Sequence, residues 1–434
     1  MSYQQTLADI GVAVPDILLP VAGTDLRRWA VVACDQFTSQ PQYWQQLEEE
    51  IGDAPSTLRL IYPEVYLSED DPEARIASIN ASMRSYLEQG LLQPLPGSFL
   101  LVRRESESEL VRWGLMVALD LEAYDYRPGS RSLVRATEGT IVERIPPRKR
   151  IRQDAPLELP HVMVLISDPQ RSVIEPLAAK TDQLRQVYDT DLLAGGGHIT
   201  GWAVNDDADL AQVAEALSGL HRQLDPTNPL LFAMGDGNHS LAAAKNCWED
   251  LKKGLDESQR ATHPARYALV ELENVFDPGL DFEPIHRVLF ATSREIFEAE
   301  LGRHCASFSN EPVPDVETLL AALETTPEQA FGLICGDQLE VYVLTQPEAS
   351  IAAGTLQPVI DTLVAQGHEV DYIHGADVTA DLARDKANLG IFLPEVSKQT
   401  FFASLIADGA LPRKTFSIGE AAEKRYYLEA RAIR

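Results

Sequence analysis

Short apolar runs alternate with amphipathic segments along the whole chain, and this alternation narrows the available folds more than any other feature. A helix is predicted from Asp71, its N-cap, through Pro72 to Gly90, with Ile76, Ile79, Met83 and Leu87 on one face. Further helices are predicted from Ser39 (N-cap, with Pro41 in the first turn), over Val173–Tyr188, over Asp207–His221 and over Ser240–Lys252. Phe99–Arg104 with Val111–Leu119, and Phe331–Cys335 with Leu339–Leu344, read as hairpins. His161–Ile166, Leu230–Met234 and Ala268–Leu272 read as buried strands. Hairpins interleaved with helical crossovers predict an α/β (α+β) fold of mixed sheets with flanking helices, not one doubly wound parallel sheet. The length, 434 residues, divides into three expected regions. These are an N-terminal α/β region (1–125), a core carrying an anion-binding turn (126–310) and a C-terminal α/β region (311–434).

Charge removes whole classes of partner. With 37 Lys and Arg against 66 Asp and Glu the net charge is −29, which repels nucleic-acid backbones and anionic membranes. No apolar run reaches the ~18 residues needed to span a bilayer. The first residues, Met1-Ser2-Tyr3-Gln4-Gln5, do not form a signal peptide. The four cysteines have no paired metal or redox spacing and suit a reducing compartment. The expectation is a cytoplasmic protein whose partner is a small molecule; the oligomeric state is not legible.

The strongest chemical signal is the stretch Leu230–Lys245. An apolar strand runs into Gly235-Asp236-Gly237-Asn238-His239-Ser240, and an alanine-rich helix follows. Glycines allow a tight turn and close approach of a ligand, while a helix start presents N–H groups to an anion. Asp236 and His239 add an acid and a base at the same place. Standard alternatives fail. Trp202 stands where a P-loop needs Lys, Gly195–His198 lacks a third dinucleotide glycine, and no G-x-S-x-G elbow occurs.

A second segment, Arg135–Thr140, leads into Arg144–Arg152, where five of nine residues are basic in an acidic chain. Read as a Pro-stiffened loop, it offers Arg148 and its neighbours to phosphate oxygens. Glu138 beside it has the chemistry of a general base. Cys34-Asp35 follows an apolar run, placing a thiol and an acid at a strand end. Pro284-Ile285-His286-Arg287 offers another cation.

Asp35, Glu138–Thr140 followed by Arg148, Gly235–His239, Pro284–Arg287 and Leu411–Phe416 together resemble the bacterial and archaeal domain-of-unknown-function 1015 family. The resemblance extends over nearly the whole chain. That family looks like a distant relative of the ParB and sulfiredoxin fold, which includes kinases acting on free serine. In such relatives a D-G-H-H-R-type turn holds phosphate and an upstream Glu is the base. Here Asn238 replaces the first His of the turn, Ser240 its Arg, and Thr137 the His that precedes the Glu.

The resemblance implies phosphoryl transfer to or from a small hydroxy amino acid, serine or phosphoserine, with a nucleotide or pyrophosphate as donor. Glu138, Asp236 and His239 would be catalytic. Gly237, Asn238, Ser240, Arg148, Arg287 and Lys414 would bind phosphate, and Asp35 and Asp236 would place Mg²⁺. The rival reading is a non-catalytic regulator that binds a phosphate ligand. A metallohydrolase built on Asp236 and His239 lacks further ligands.

Overall fold

The hairpin expected at Phe99–Leu119 lies at the centre of a ten-stranded sheet. In the computed structural model, which describes residues 2–107, 110–419 and 421–434, the chain divides into two units. One comprises residues 1–280 and 419–434, the other residues 281–418.

The first unit holds β1 (Val12–Ala13), β2 (Phe99–Glu105), β3 (Val111–Asp120), β4 (Tyr124–Asp125) and β5 (Val134–Arg135). It continues with β6 (Met163–Ile166), β7 (Arg185–Asp191), β8 (His198–Val204), β9 (Phe232–Asp236) and β10 (Tyr267–Asn274). Their spatial order is β7-β8-β2-β3-β10-β6-β9-β5-β4, with β1 beside β3. Most pairs are antiparallel, but β10 runs parallel to β6, and β5 runs parallel to β9 and β4. The sheet is therefore mixed, as the alternation of hairpins and crossovers implied. Helices α1 (Pro41–Ile51), α2 (Pro72–Glu88), α3 (Ile145–Gln153), α4 (Asp207–Arg222) and α5 (Asn238–Leu251) accompany it.

Both sheet faces are covered, which is why these strands read as continuous apolar runs. Phe99, Leu101, Leu115 and Val117 join one core with Leu210, Leu217, Leu241 and Trp248. Leu100, Val102, Met116 and Leu269 face the other, with Trp29, Trp44 and Tyr426–Leu428. The last residues return to this second face. Tyr426 bridges Val32, Ala430 bridges Leu18, and Arg431–Ala432 pair with Leu157–Glu158. Arg425 is buried there, donating to Glu271 at 2.9 Å and also to Glu429, which accepts from the Tyr188 hydroxyl at 2.6 Å. Glycine at 114 makes room for the cluster, since a Cβ there would lie 2.3 Å from Glu271 Oε1.

The second unit is an antiparallel sheet of β11 (Phe282–Phe290), β12 (Cys305–Val313), β13 (Ala330–Cys335), β14 (Gln338–Pro347), β15 (Glu369–His374), β16 (Leu389–Phe392) and β17 (Phe416–Ile418). Their order is β12-β14-β13-β16-β11-β15, with β17 paired to β11. The β13–β14 hairpin is the second one expected from sequence. Leu333, Tyr342, Leu356, Val359, Ile360 and Leu363 are among its buried residues.

Several expectations are corrected. Val173–Tyr188 is not a helix: after a short turn at Glu175–Ala178 the chain becomes the edge strand β7. Tyr188 packs its ring where Gly201 on β8 has no side chain, and residues 192–197 close the hairpin through Leu192 N–H to Gly197 O at 2.8 Å. Arg144–Arg152 is not a loop, because Pro146 and Pro147 sit in the first turn of α3, where proline is pre-shaped for a helix. The N-cap of α1 is Gln40, not Ser39. The anticipated boundary at 310/311 falls inside β12, and β3 pairs with β10 across the one at 125/126. No helix among the described residues is long and apolar enough to cross a membrane.

Candidate functional site

β9 ends at Asp236 and α5 begins at Asn238, so Gly237 alone makes the turn. Its φ of +79° favours glycine, and a Cβ there would stand 3.1 Å from the Val162 Cα. No side chain caps α5, so its first turn and dipole are disposed to take an anion. Asp236 Oδ1 accepts the Gly237 N–H at 2.7 Å, and its Oδ2 lies 3.6 Å from the Lys424 ammonium. His239 Nε2 accepts the Ile141 N–H at 3.2 Å, which makes it the unprotonated ring nitrogen. Two polar atoms beside this turn, Asn238 Oδ1 and Thr140 Oγ1, are buried without a hydrogen-bond partner among the described residues.

On the other side of Ser240 runs a chain of hydrogen bonds. The Cys34 N–H donates to the Tyr427 oxygen at 3.2 Å, and the Tyr427 oxygen lies 2.7 Å from His161 Nδ1. Burial raises the Tyr427 phenol well above its ordinary range, so it stays protonated beside His161. His161 Nε2 lies 2.7 Å from Ser240 Oγ, within hydrogen-bond distance. Asp35 Oδ2 lies 3.8 Å from the same Nε2. Both partners share one nitrogen, so this is not a nucleophile–base–acid triad, in which the acid holds the opposite nitrogen.

This chain borders a cavity of about 140 Å³ lined by Leu60, Met83, Leu157, Ala244, Leu269 and other apolar side chains. Its charged lining residues pair with one another, Arg148 with Glu64 and Arg152 with Glu158. Burial raises the Glu64 carboxyl, with Arg148 opposing, and burial also raises the Cys34 thiol. Burial acts in the same direction on Glu158, yet Arg431 and Arg152 outweigh it and hold that carboxyl low.

The structure thus gathers Asp236, Gly237, Asn238, His239 and Ser240 at one helix start, and joins Asp35 to Ser240 through His161. Glu138 is half-buried on the segment between β5 and α3. The basic run is largely neutralised: besides the Arg148 and Arg152 pairs, Lys149 meets Asp250, and Arg150 lies 3.3 Å from Glu73. Arg287 and Lys414 belong to the second unit. There Arg287 is buried, donating to the Ile285 carbonyl with its guanidinium over the Tyr372 ring, and Lys414 is exposed in the turn before β17. No group of three His, Cys, Asp or Glu among the described residues could hold a metal ion.

No local sequence signal marks Glu64, His161, Lys424 or Tyr427. His161 preceded a strand without any partner in view, and Tyr427 lies 266 positions further along.

The fold is that of a two-unit mixed α/β protein with a strand–glycine–helix turn at Gly237. The chain belongs to the family described as Protein of unknown function (DUF1015), which it matches over residues 18–364. No curated protein matches it. Among solved structures it is similar to a free serine kinase mutant in complex with AMP, with a TM-score of 0.38 and 11% identity, covering 74% of this chain and 91% of that one. It is also similar to a conserved hypothetical protein from Pyrococcus furiosus (0.34, 13%, 70% and 90%). A C-terminally truncated SbnI from Staphylococcus aureus is similar as well (0.35, 8%, 70% and 82%).

Proposed function

We propose that the first unit is a small-molecule phosphotransferase acting on a hydroxy amino acid such as serine or phosphoserine, with a nucleotide or pyrophosphate as the other substrate. The observation that carries this reading is the uncapped start of α5 at left-handed Gly237, with the buried, unpaired Asn238 Oδ1 beside it. The helix start suits a phosphate. An amide oxygen accepts, so the partner it lacks is a donor, as the hydroxyl or ammonium of such a substrate would be. Serine as the substrate comes from the sequence resemblance.

In this reading the backbone N–H groups of Asn238–Ser240 cradle the phosphate, Lys424, held 3.6 Å from Asp236, offsets its charge, and His239 orients it. Glu138 takes the hydroxyl proton of the acceptor. Asp236 and Asp35 are of the donor type that holds Mg²⁺ together with phosphate oxygens, and the ion when bound would neutralise charge on the transferred group.

The test is phosphoserine formation from serine with ATP, ADP or pyrophosphate and Mg²⁺, alongside thermal-shift measurements that include AMP. Turnover that falls ~10²–10⁴-fold in Glu138→Gln with ligand binding retained supports Glu138 as the base. Loss of phosphate-ligand binding in Asp236→Ala, with an unchanged melting temperature, supports the turn as the anion site. Absence of both binding and turnover across the panel overturns the proposal. Binding without turnover is the result for a phosphate-sensing regulator, a reading favoured by the pairing of Arg148 with Glu64.

A further inference from the structure

The cavity beside α5 is not accounted for by a phosphate or by serine. Its volume, about 140 Å³, is close to that of an engineered apolar cavity that admits benzene. Leu60, Met83, Leu157, Ala244 and Leu269 line it, walls against which an ammonium and a carboxylate would be stripped of water without compensation. The charged residues at its border are already in ion pairs, Arg148 with Glu64 and Arg152 with Glu158, which Arg431 shares. One polar feature is oriented for use. Ser240 Oγ lies 2.7 Å from His161 Nε2, a single contact that leaves the hydroxyl capacity for another hydrogen bond, and Ser240 lines the cavity.

We propose that this cavity binds a compact, uncharged aromatic or branched aliphatic compound carrying one hydroxyl, its apolar body against the Leu and Met walls and its oxygen on Ser240. The proposal does not rest on the phosphotransferase reading, since occupancy of the cavity requires no turnover and no phosphate.

The experiment titrates the full chain with benzyl alcohol, phenol, toluene, benzoate and serine, read by calorimetry and ligand-observed NMR. Saturable binding of benzyl alcohol or phenol is expected, with benzoate at least tenfold weaker and serine not competing. Ser240→Ala should weaken the alcohols by about 2–10-fold, the range of one net hydrogen bond, and leave toluene unchanged. Ala244→Leu, which fills the space from α5, should abolish binding of all of them. Should that variant fail to fold, Met83→Phe fills the space from α2 and must do the same. Benzoate binding as tightly as benzyl alcohol, no saturable binding of any probe, or undiminished binding in a folded filling variant would each overturn the proposal. Serine displacing benzyl alcohol would also overturn it, and would return the cavity to the hydroxy amino acid.

Discussion

Replacing Arg425 by Ala tests how the returning C-terminal segment is held. The guanidinium is 1% exposed and bridges Glu271 and Glu429, which are 1% and 0% exposed. Removing one partner of a buried ion pair strands the other charge and costs about 3–5 kcal/mol. Arg104 and Arg112 still act on Glu271, so the lower end, about 3 kcal/mol, is the expected loss at pH 7. At roughly 2–4 °C per kcal/mol, the transition of the first unit should fall by about 6–12 °C.

The loss should also depend on pH, with a definite sign. In the parent, burial pushes the Glu271 carboxyl up, but Arg425, Arg104 and Arg112 hold it below its ordinary range. Its contribution is therefore full above the unfolded value and disappears as pH falls through the folded one. Without Arg425 the folded value rises, and the ionised carboxylate becomes a penalty that protonation relieves. The gap between parent and variant should be widest at pH 7–8 and narrow toward pH 5, measured by urea unfolding followed by circular dichroism. A gap below about 1 kcal/mol at pH 7, or one independent of pH, would refute the reasoning.

Gly237→Ala should cost about 1–2 kcal/mol for the left-handed backbone and abolish stabilisation by pyrophosphate; unaltered stabilisation would dissociate the turn from the anion. His198 lies 2.7 Å from both Asp189 and Asp191; burial lowers its pKa, but the two carboxylates outweigh it and the net direction is up. The protonated contact is therefore fully present below the unfolded value of about 6.5 and is lost as pH rises through the folded one. Amide exchange along β7 and β8, corrected for its intrinsic base-catalysed rise, should show protection lost over that range in the parent and not in His198→Asn, and a pH-independent difference would rule the contact out. Cys34, whose thiol burial pushes up, should resist iodoacetamide at pH 8 until the chain is unfolded; rapid labelling of the native protein would contradict it.

Local chemistry was legible in the sequence, and pairing across distance was not. Asp71, Pro72 and the apolar stripe that follows identify α2 because cap, first turn and period lie within one segment. Gly237 was legible for the same reason, since a strand, a glycine and a helix adjoin. The segment 173–188 misled because its apolar residues fit a helical period, whereas Tyr188 answers to Gly201 across the hairpin. The basic run looked free to bind phosphate because Glu64, 84 positions from Arg148, cannot be matched to it without the fold. Likewise nothing near His161 announces Tyr427, and nothing near Asp236 announces Lys424.

The return of residues 419–434 to the first unit also sets an order of synthesis. The ribosome makes β10, then the whole of residues 281–418, and only afterwards Lys424, Arg425 and Tyr427. A nascent chain at residue 418 has Glu271 without its arginine bridge, His161 without its tyrosine and Asp236 without its lysine. The second unit can form its sheet from its own contiguous residues while the first waits. Only chains translated through the whole insertion assemble the hydrogen-bond chain at Ser240, so products cut short within residues 281–418 carry the glycine turn but not the completed pocket.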